Sequence, residues 1–172
     1  MQTMRRKPLL YPILGFALAH LLTGAKPLAA QDSCKLVLDA MVKLIDTPTH
    51  VFATMSIGGQ PQTGESIYVN GIVYTMFAGK WSAGSTTGKM KEIAEKNRQT
   101  NKTTCHYLKD EPLNGEAAAL YSVHEVSSQS TSDSKVWISR TKGLPLRSDI
   151  ELNGGKNTIS SRYEYVNVKP PM

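Results

Sequence analysis

The chain has 172 residues, of which 40% are hydrophobic and 20% charged; this composition is ordinary for a folded domain and excludes wholesale disorder, collagen and coiled coil. Its 20 Lys and Arg against 14 Asp and Glu give a net charge of +6, which by itself favours a nucleic acid or an anionic membrane as partner. Two cysteines are too few for a disulfide-dense scaffold or a four-cysteine zinc site.

The first thirty residues have the pattern of a secretory signal peptide. A basic stretch, Arg5-Arg6-Lys7, precedes an apolar run over residues 9–22, and small residues lead to Ala30. The alternative, a membrane anchor, needs about 20 apolar residues, whereas this run is shorter and is interrupted by Pro12. We therefore expect cleavage after Ala30, no integral membrane segment afterwards, and a single domain over residues 31–172. A lipidated cysteine is not expected, because the residues before Cys34 do not fit such a cleavage site.

Most of the excess positive charge lies in the predicted signal peptide, residues 1–30. Its removal takes away four bases and no acid, leaving 16 bases, 14 acids and a net charge of +2. The densest remaining group of lysines, between residues 89 and 102, is interleaved with Glu92 and Glu95, which is typical of a solvated helix face. The sequence therefore gives no support to nucleic acid as a partner.

Cys34 and Cys105 both remain after cleavage. In an oxidising compartment an even pair of cysteines forms a disulfide, and closing a loop of about 70 residues contributes about 4 kcal/mol on the chain-entropy model. The alternative is a reactive thiol at Cys105, activated by its neighbour His106. Adjacent residues of a strand point to opposite faces, which disfavours that pairing. We predict a structural disulfide between Cys34 and Cys105.

The first predicted element of the domain is a helix that begins at Ser33 as a cap and ends before Pro48. Its apolar positions recur with helical periodicity and form one stripe. They are Leu36, Val37, Ala40, Met41, Leu44 and Ile45. A strand over 51–57 follows, with a break at residues 58–61.

A β-hairpin and a second helix are predicted next. Asn70-Gly71 separates two β-branched and aromatic runs, over 66–69 and 72–77, and both residues tolerate the positive φ of a type I′ turn. The residues Gly79-Lys80-Trp81 mark the end of that hairpin. A polar surface helix over 89–100 is expected to take its cap from Ser85, Thr86 or Thr87.

The remainder of the chain has the pattern of five antiparallel strands. They are predicted over 104–109, 116–126, 135–140, 146–152 and 158–168, with turn residues between them. Several alternate apolar and polar residues, which is typical of a sheet with one solvated face. The predicted fold class is α+β: a curved antiparallel sheet, an unclosed β-barrel, with helices packed on one side.

Catalytic and metal-binding patterns are absent from the sequence. The three histidines left after cleavage, His50, His106 and His124, lack the spacing of a zinc motif, and no Gly-x-Ser-x-Gly nucleophile motif occurs. We predict neither a catalytic nor a metal site, no cofactor, and no enzymatic activity.

Large apolar side chains on the predicted strands are the remaining candidates for a site. Either they fill the core or they line a groove for a hydrophobic ligand, and periodicity alone leaves both readings open. The candidate ligand-contacting residues are Met55, Tyr74, Met76, Trp81, Trp137, Ile150 and Tyr163.

Local sequence phrases resemble the LolA- and LolB-like lipoprotein carriers of Gram-negative bacteria. The phrases are residues 113–121 (LNGEAAALY), residues 137–147 (WISRTKGLPLR) and residues 162–168 (RYEYVNV), together with the leader, helix and hairpin order. The resemblance covers most of residues 33–168 and is to an uncharacterised periplasmic branch of that superfamily. It implies an unclosed antiparallel barrel capped by helices, an apolar cavity for acyl chains, a periplasmic location, and a place in outer-membrane lipoprotein sorting.

Two functions follow as hypotheses. The first is a periplasmic protein that binds a lipid, a lipoprotein acyl chain or another hydrophobic ligand in the concavity of the sheet. The alternative is an envelope protein-interaction module with a filled core and no ligand. The carriers' functional arginine has no matching position in this sequence; Arg147 matches only the fold motif.

Overall fold

The computed structural model describes residues 29–171, with side chains from residue 33 onward. The predicted signal peptide therefore lies outside the described residues except for Ala29 and Ala30, which form the start of the first helix. Within the described part of the chain, no helix is long and apolar enough to cross a membrane.

Helix α1 spans Ala29–Asp46 and is longer than predicted. Ser33 lies buried inside the helix and not at its cap, because Ala29, Ala30 and Gln31 are good helix formers that extend it. Val37, Ala40, Leu44 and Ile45 are buried as the apolar stripe predicts. Leu36, which the stripe includes, is 56% exposed, because it lies at the edge of the face that contacts the sheet.

Nine strands form one antiparallel sheet, and the two end strands of its order are not paired with each other. The strands are β1 (Thr49–Ile57), β2 (Gln60–Val69), β3 (Ile72–Phe77), β4 (Lys80–Thr86), β5 (Lys102–Leu113), β6 (Glu116–Val126), β7 (Thr131–Ser139), β8 (Pro145–Leu152) and β9 (Asn157–Glu164). Their order in the sheet is β4-β3-β2-β1-β9-β8-β7-β6-β5, so the late strand β9 pairs with the early strand β1.

The sheet curves around α1. Helix α1 contacts both β2 and β5, which are six positions apart in the sheet and would lie about 29 Å apart if the sheet were flat. The helix rises only about 18 Å between Cys34, which is bonded to β5, and its end at Asp46. Curvature of the sheet brings the two regions to one helix. The predicted fold class is thereby confirmed, including the unclosed antiparallel sheet with helices that the family resemblance implied.

Strand β4 is absent from the sequence prediction, which ended the hairpin at Gly79-Lys80-Trp81. Residues Ala78 and Gly79 have φ of 50° and 75° and form a two-residue turn, after which Lys80–Thr86 pairs with β3. The turn escaped prediction because alanine is not one of the residues that usually signal positive φ.

Several other strand boundaries differ from prediction, among them the start of β7, which lies at Thr131 instead of residue 135. The turn after β1 consists of Gly58 and Gly59 alone, and Pro61 already belongs to β2, near the start of the strand, where proline is tolerated. Strand β5 extends to Leu113, past the predicted end at residue 109, through an irregular pairing between Tyr107 and Lys109. Strand β9 ends at Glu164 instead of residue 168, and Asn167 has a positive φ of 56° that does not fit a strand.

Helix α2 spans Thr87–Thr100 and lies on the surface as predicted, with no buried residue. The Thr86 hydroxyl is the N-cap and accepts a hydrogen bond from the Lys89 backbone N–H at 3.2 Å. Ion pairs join it to α1: Arg98 contacts Asp39 and Lys91 contacts Asp46. Both ion pairs lie at the surface, and the second helix adds little to the core.

Candidate ligand groove on the inner face

Helix α1 defines which face of the sheet is inside. Val37 and Ala40 of α1 form one buried cluster with strand residues of β6 and β7, namely Ala119, Tyr121, Val136 and Ile138. We call the face that carries these residues the inner face and the opposite face the outer face. Because side chains alternate along a strand, the pairing register assigns every strand residue to one face.

Five half-buried residues follow one another across the inner face. The register pairs Val123 with Ser134, Ser134 with Ile150, Ile150 with Ile159, and Ile159 with Met55. We call these five residues the inner row. At one end of the row, Val123 pairs with the buried Cys105, so the row begins beside the disulfide.

A cavity of about 560 Å³ lies along the inner row, and all five of its residues line the cavity. Neighbours on the same strands complete the lining, among them Lys135, Arg147, Asp149 and Glu151. This volume lies within the range of ordinary small-molecule sites. The register places the side chains of these four charged residues on the outer face, whereas the side chains of the inner row point to the side that carries α1. An apolar row of this kind accepts a hydrophobic chain.

Small residues border the inner row on the side toward the α1 cluster. In the pairing register Ser148 lies across from Ser161, Ser161 lies across from Ala53, and Ala53 lies across from Gly64. A Cβ atom built on Gly64 would lie 3.4 Å from the terminal methyl of Met55, so the flexible Met55 side chain extends over this glycine. Methionine adapts its shape at low cost, which suits a wall that has to accommodate a ligand.

The disulfide anchors α1 at the edge of this region. Cys34 and Cys105 are bonded with an S–S distance of 2.04 Å, and Cys105 is fully buried. His106 is exposed and lies on the opposite face of β5 from Cys105, as strand alternation predicts. Neither cysteine is a free thiol.

Of the seven predicted ligand-contacting residues, Met55 and Ile150 lie in the inner row. Tyr163 is also on the inner face, but its hydroxyl is 2.8 Å from the Ser148 hydroxyl and it lines a different cavity, of about 270 Å³. Burial raises the pKa of the Tyr163 phenol, which stays neutral at physiological pH.

The other four predicted residues lie on the outer face and do not line the 560 Å³ cavity. Tyr74, Met76 and Trp81 are on β3 and β4, where Met76 pairs with Trp81 and the Trp81 ring lies 6.3 Å from the His50 ring. Trp137 is buried against Ala118 and Leu120, and its indole N–H donates to Glu111 at 2.5 Å.

Three members of the inner row, Val123, Ser134 and Ile159, were not predicted. The alternation of β9 places Ile159 on one face with Tyr163, and this signal was sufficient to find it. The sequence does not indicate Ser134 as a site residue, because serine is polar. Ser134 belongs to the row because it pairs with Val123 on one side and with Ile150 on the other.

The ionisable pairs of the described residues lie mainly at the surface. His50 Nε2 lies 2.6 Å from Glu65, and His124 Nδ1 lies 2.7 Å from Asp133, both on the outer face. Within residues 29–171, no group of three or more His, Cys, Asp or Glu side chains is placed to hold a metal ion.

The chain was compared with known proteins by sequence and by structure. No family model and no curated protein sequence matches it. Its structure is similar to lipoprotein LppX of Mycobacterium tuberculosis, at 15% identity and a TM-score of 0.47, over 80% of this chain and 97% of that one. It is also similar to LprF of Mycobacterium bovis, at 10% identity and a TM-score of 0.45, over 83% and 97% of the two chains.

A third similar structure is the MucA/MucB complex of Pseudomonas aeruginosa. The identity is 12% and the TM-score 0.49, over 81% of this chain and 59% of that one.

Proposed function

We propose that this protein is an exported, non-enzymatic protein of the periplasm that binds a lipid or another hydrophobic ligand along the inner row. The observation that supports the proposal is the cavity of about 560 Å³ along Val123, Ser134, Ile150, Ile159 and Met55. The leader pattern and the disulfide, which needs an oxidising compartment, support export.

The driving force for binding is burial of the ligand's apolar chain, at about 0.8 kcal/mol for each CH₂ group. The residues of the inner row are half-buried, so they retain apolar surface that a ligand can cover. An acyl chain of a lipid or lipoprotein supplies an apolar chain of this kind.

The test is saturable binding of a fluorescent fatty acid to the purified protein and to a variant with a filled cavity. Ser134→Phe places a ring within the inner row, between Val123 and Ile150, and we expect the affinity to fall at least tenfold, which corresponds to about two CH₂ groups of lost burial. Thr104→Phe is the matched control, because Thr104 is exposed on the outer face of β5 and does not line the cavity.

Absence of saturable binding, or equal loss in both variants, contradicts the proposal. Mass spectrometry of lipids that copurify with the wild-type protein is the second measurement. We expect a lipid in the wild type and less of it in Ser134→Phe.

The second candidate function is a protein-interaction module, and one observation favours it. Leu36 and Tyr107 are 56% and 46% exposed, and a smaller cavity of about 250 Å³ lies along Leu36, Ala40, Tyr121 and Ile138. An apolar side chain of a partner would fit there. If Leu36→Ser abolishes capture of a partner while Ser134→Phe does not affect it, the interaction function replaces the ligand function.

A further inference from the structure

The two end strands of the sheet differ in how their free edges are protected. Strand β5 has an irregular pairing between Tyr107 and Lys109, the charged residues Lys109 and Asp110, and Pro112 near its end. Helix α1 is also bonded to it through Cys105. Bulges, charges and proline are the devices that keep an edge strand from pairing with another chain.

Strand β4 carries fewer of these devices. It pairs regularly with β3 from Lys80 to Ala83, its one charged residue is Lys80 beside the turn, and its pairing becomes irregular only between Ala83 and Thr86. Ser82, Ala83 and Gly84 are exposed and uncharged. Phe77, on the other side of the same turn, is 68% exposed. The unpaired backbone groups of such an edge are a template for another strand.

The direction of those backbone groups follows from the turn. Phe77 and Lys80 flank the two-residue turn and form a hydrogen-bonded pair, and the pairs then alternate along the strand. Trp81 and Ala83 therefore point their N–H and C=O groups away from β3, toward the free edge. An incoming strand has to place its own backbone N–H and C=O groups opposite those of these two residues.

We infer that β4 pairs with β4 of a second copy of this chain, antiparallel and about a twofold axis at Ser82. In this register Trp81 of each copy pairs with Ala83 of the other, so all outward N–H and C=O groups of both residues form hydrogen bonds. The large Trp81 side chain then lies across from the small Ala83, and Lys80 lies across from Gly84, which has no side chain. The strand is thus complementary to itself in shape as well as in hydrogen bonding.

The same geometry predicts a weak dimer. Pairing of four or five residues buries much less than the roughly 1,600 Å² of a standard stable interface. Covalent trapping is therefore the appropriate assay. At the axis, Ser82 faces its own copy in a non-hydrogen-bonded pair with a Cα–Cα distance of about 4.5 Å, which is within the range that a disulfide spans.

The experiment compares single-cysteine variants of the purified protein, whose native cysteines are already bonded to each other. Under mild oxidation we expect Ser82→Cys to form a covalent homodimer at least tenfold faster than Thr104→Cys. Thr104 is the matched control because it is exposed on β5, the protected edge.

A second substitution tests whether the trapped dimer is held by strand pairing. Ala83→Pro removes one outward N–H and leaves the pairing with β3 intact, since that N–H does not face β3. Added to Ser82→Cys, it should lower the rate of dimer formation at least fivefold. Ala83→Asp, which puts a charged residue of low β propensity on the edge, should have the same effect and serves if the proline variant does not fold.

Three results would overturn the inference. One is trapping of Ser82→Cys at the rate of Thr104→Cys, and another is trapping that neither change at Ala83 affects. The third is a crosslink from Ser82→Cys to a different protein with no homodimer, which would make a heterologous strand the occupant of this edge.

Discussion

The inner and outer faces of strand β8 carry different residues within one run of sequence. Ser148, Ile150 and Leu152 lie on the inner face and are buried or half-buried, whereas Arg147 and Glu151 lie on the outer face and are exposed. Strand β7 departs from this simple contrast, because Trp137 on its outer face is buried under its neighbours Leu120 and Arg147. Alternation thus assigns residues to faces, but a large ring can create a local core on the solvated side.

The largest expected effect concerns the anchor of α1 to the inner face. Replacing both Cys34 and Cys105 by serine removes a crosslink across 71 residues, and we expect the free energy of unfolding to fall by about 4 kcal/mol. Urea denaturation of oxidised and variant protein measures it. A loss below about 1 kcal/mol would show that packing of Val37 and Ala40 holds the helix without the bond.

The next effect tests the inner core directly. Val136→Ala removes a buried side chain beneath α1, and the lost burial and the cavity together should cost about 2 kcal/mol of unfolding free energy. Lys135→Ala, on the outer face of the same strand, should change it by less than about 0.5 kcal/mol. Equal effects at the two neighbouring positions would contradict the assignment of faces.

The smallest effect concerns an ionic cluster on the outer face. The Lys142 ammonium, 2.8 Å from Glu116, and the Ser139 hydroxyl together lower the pKa of the Glu116 carboxyl. A lowered folded-state pKa contributes stability that is present above the unfolded-state pKa of about 4.3 and is lost as pH falls through the folded-state pKa. Glu116→Gln should therefore cost about 1 kcal/mol at pH 7, since the group is partly solvated.

A pH series of urea denaturation checks this prediction. The difference between wild type and Glu116→Gln should shrink as the pH falls below about 4. A difference that stays constant between pH 7 and pH 3 would assign the effect to packing and not to the charge.

Much of the fold was predictable because it depends on local signals. Asn70-Gly71 adopts the expected positive φ angles of 55° and 78°, strand β6 begins and ends where predicted, and Thr86 is one of the expected helix caps. The missed strand β4 depends on a positive φ at Ala78, for which alanine gives no warning. The prediction of a site was less complete, because Tyr74 and Trp81 are large strand residues whose hydrophobicity does not reveal which face they occupy.

The sequence by itself predicted a leader, a remaining chain with a net charge of +2, a disulfide pair, and alternating strands that favour an antiparallel sheet. The tertiary structure decided the location of the site. Met55 and Ile159 are 104 positions apart in the chain and are neighbours because β9 pairs with β1. Such pairing between distant strands depends on how the whole sheet assembles and curves around α1, which no local pattern of residues encodes.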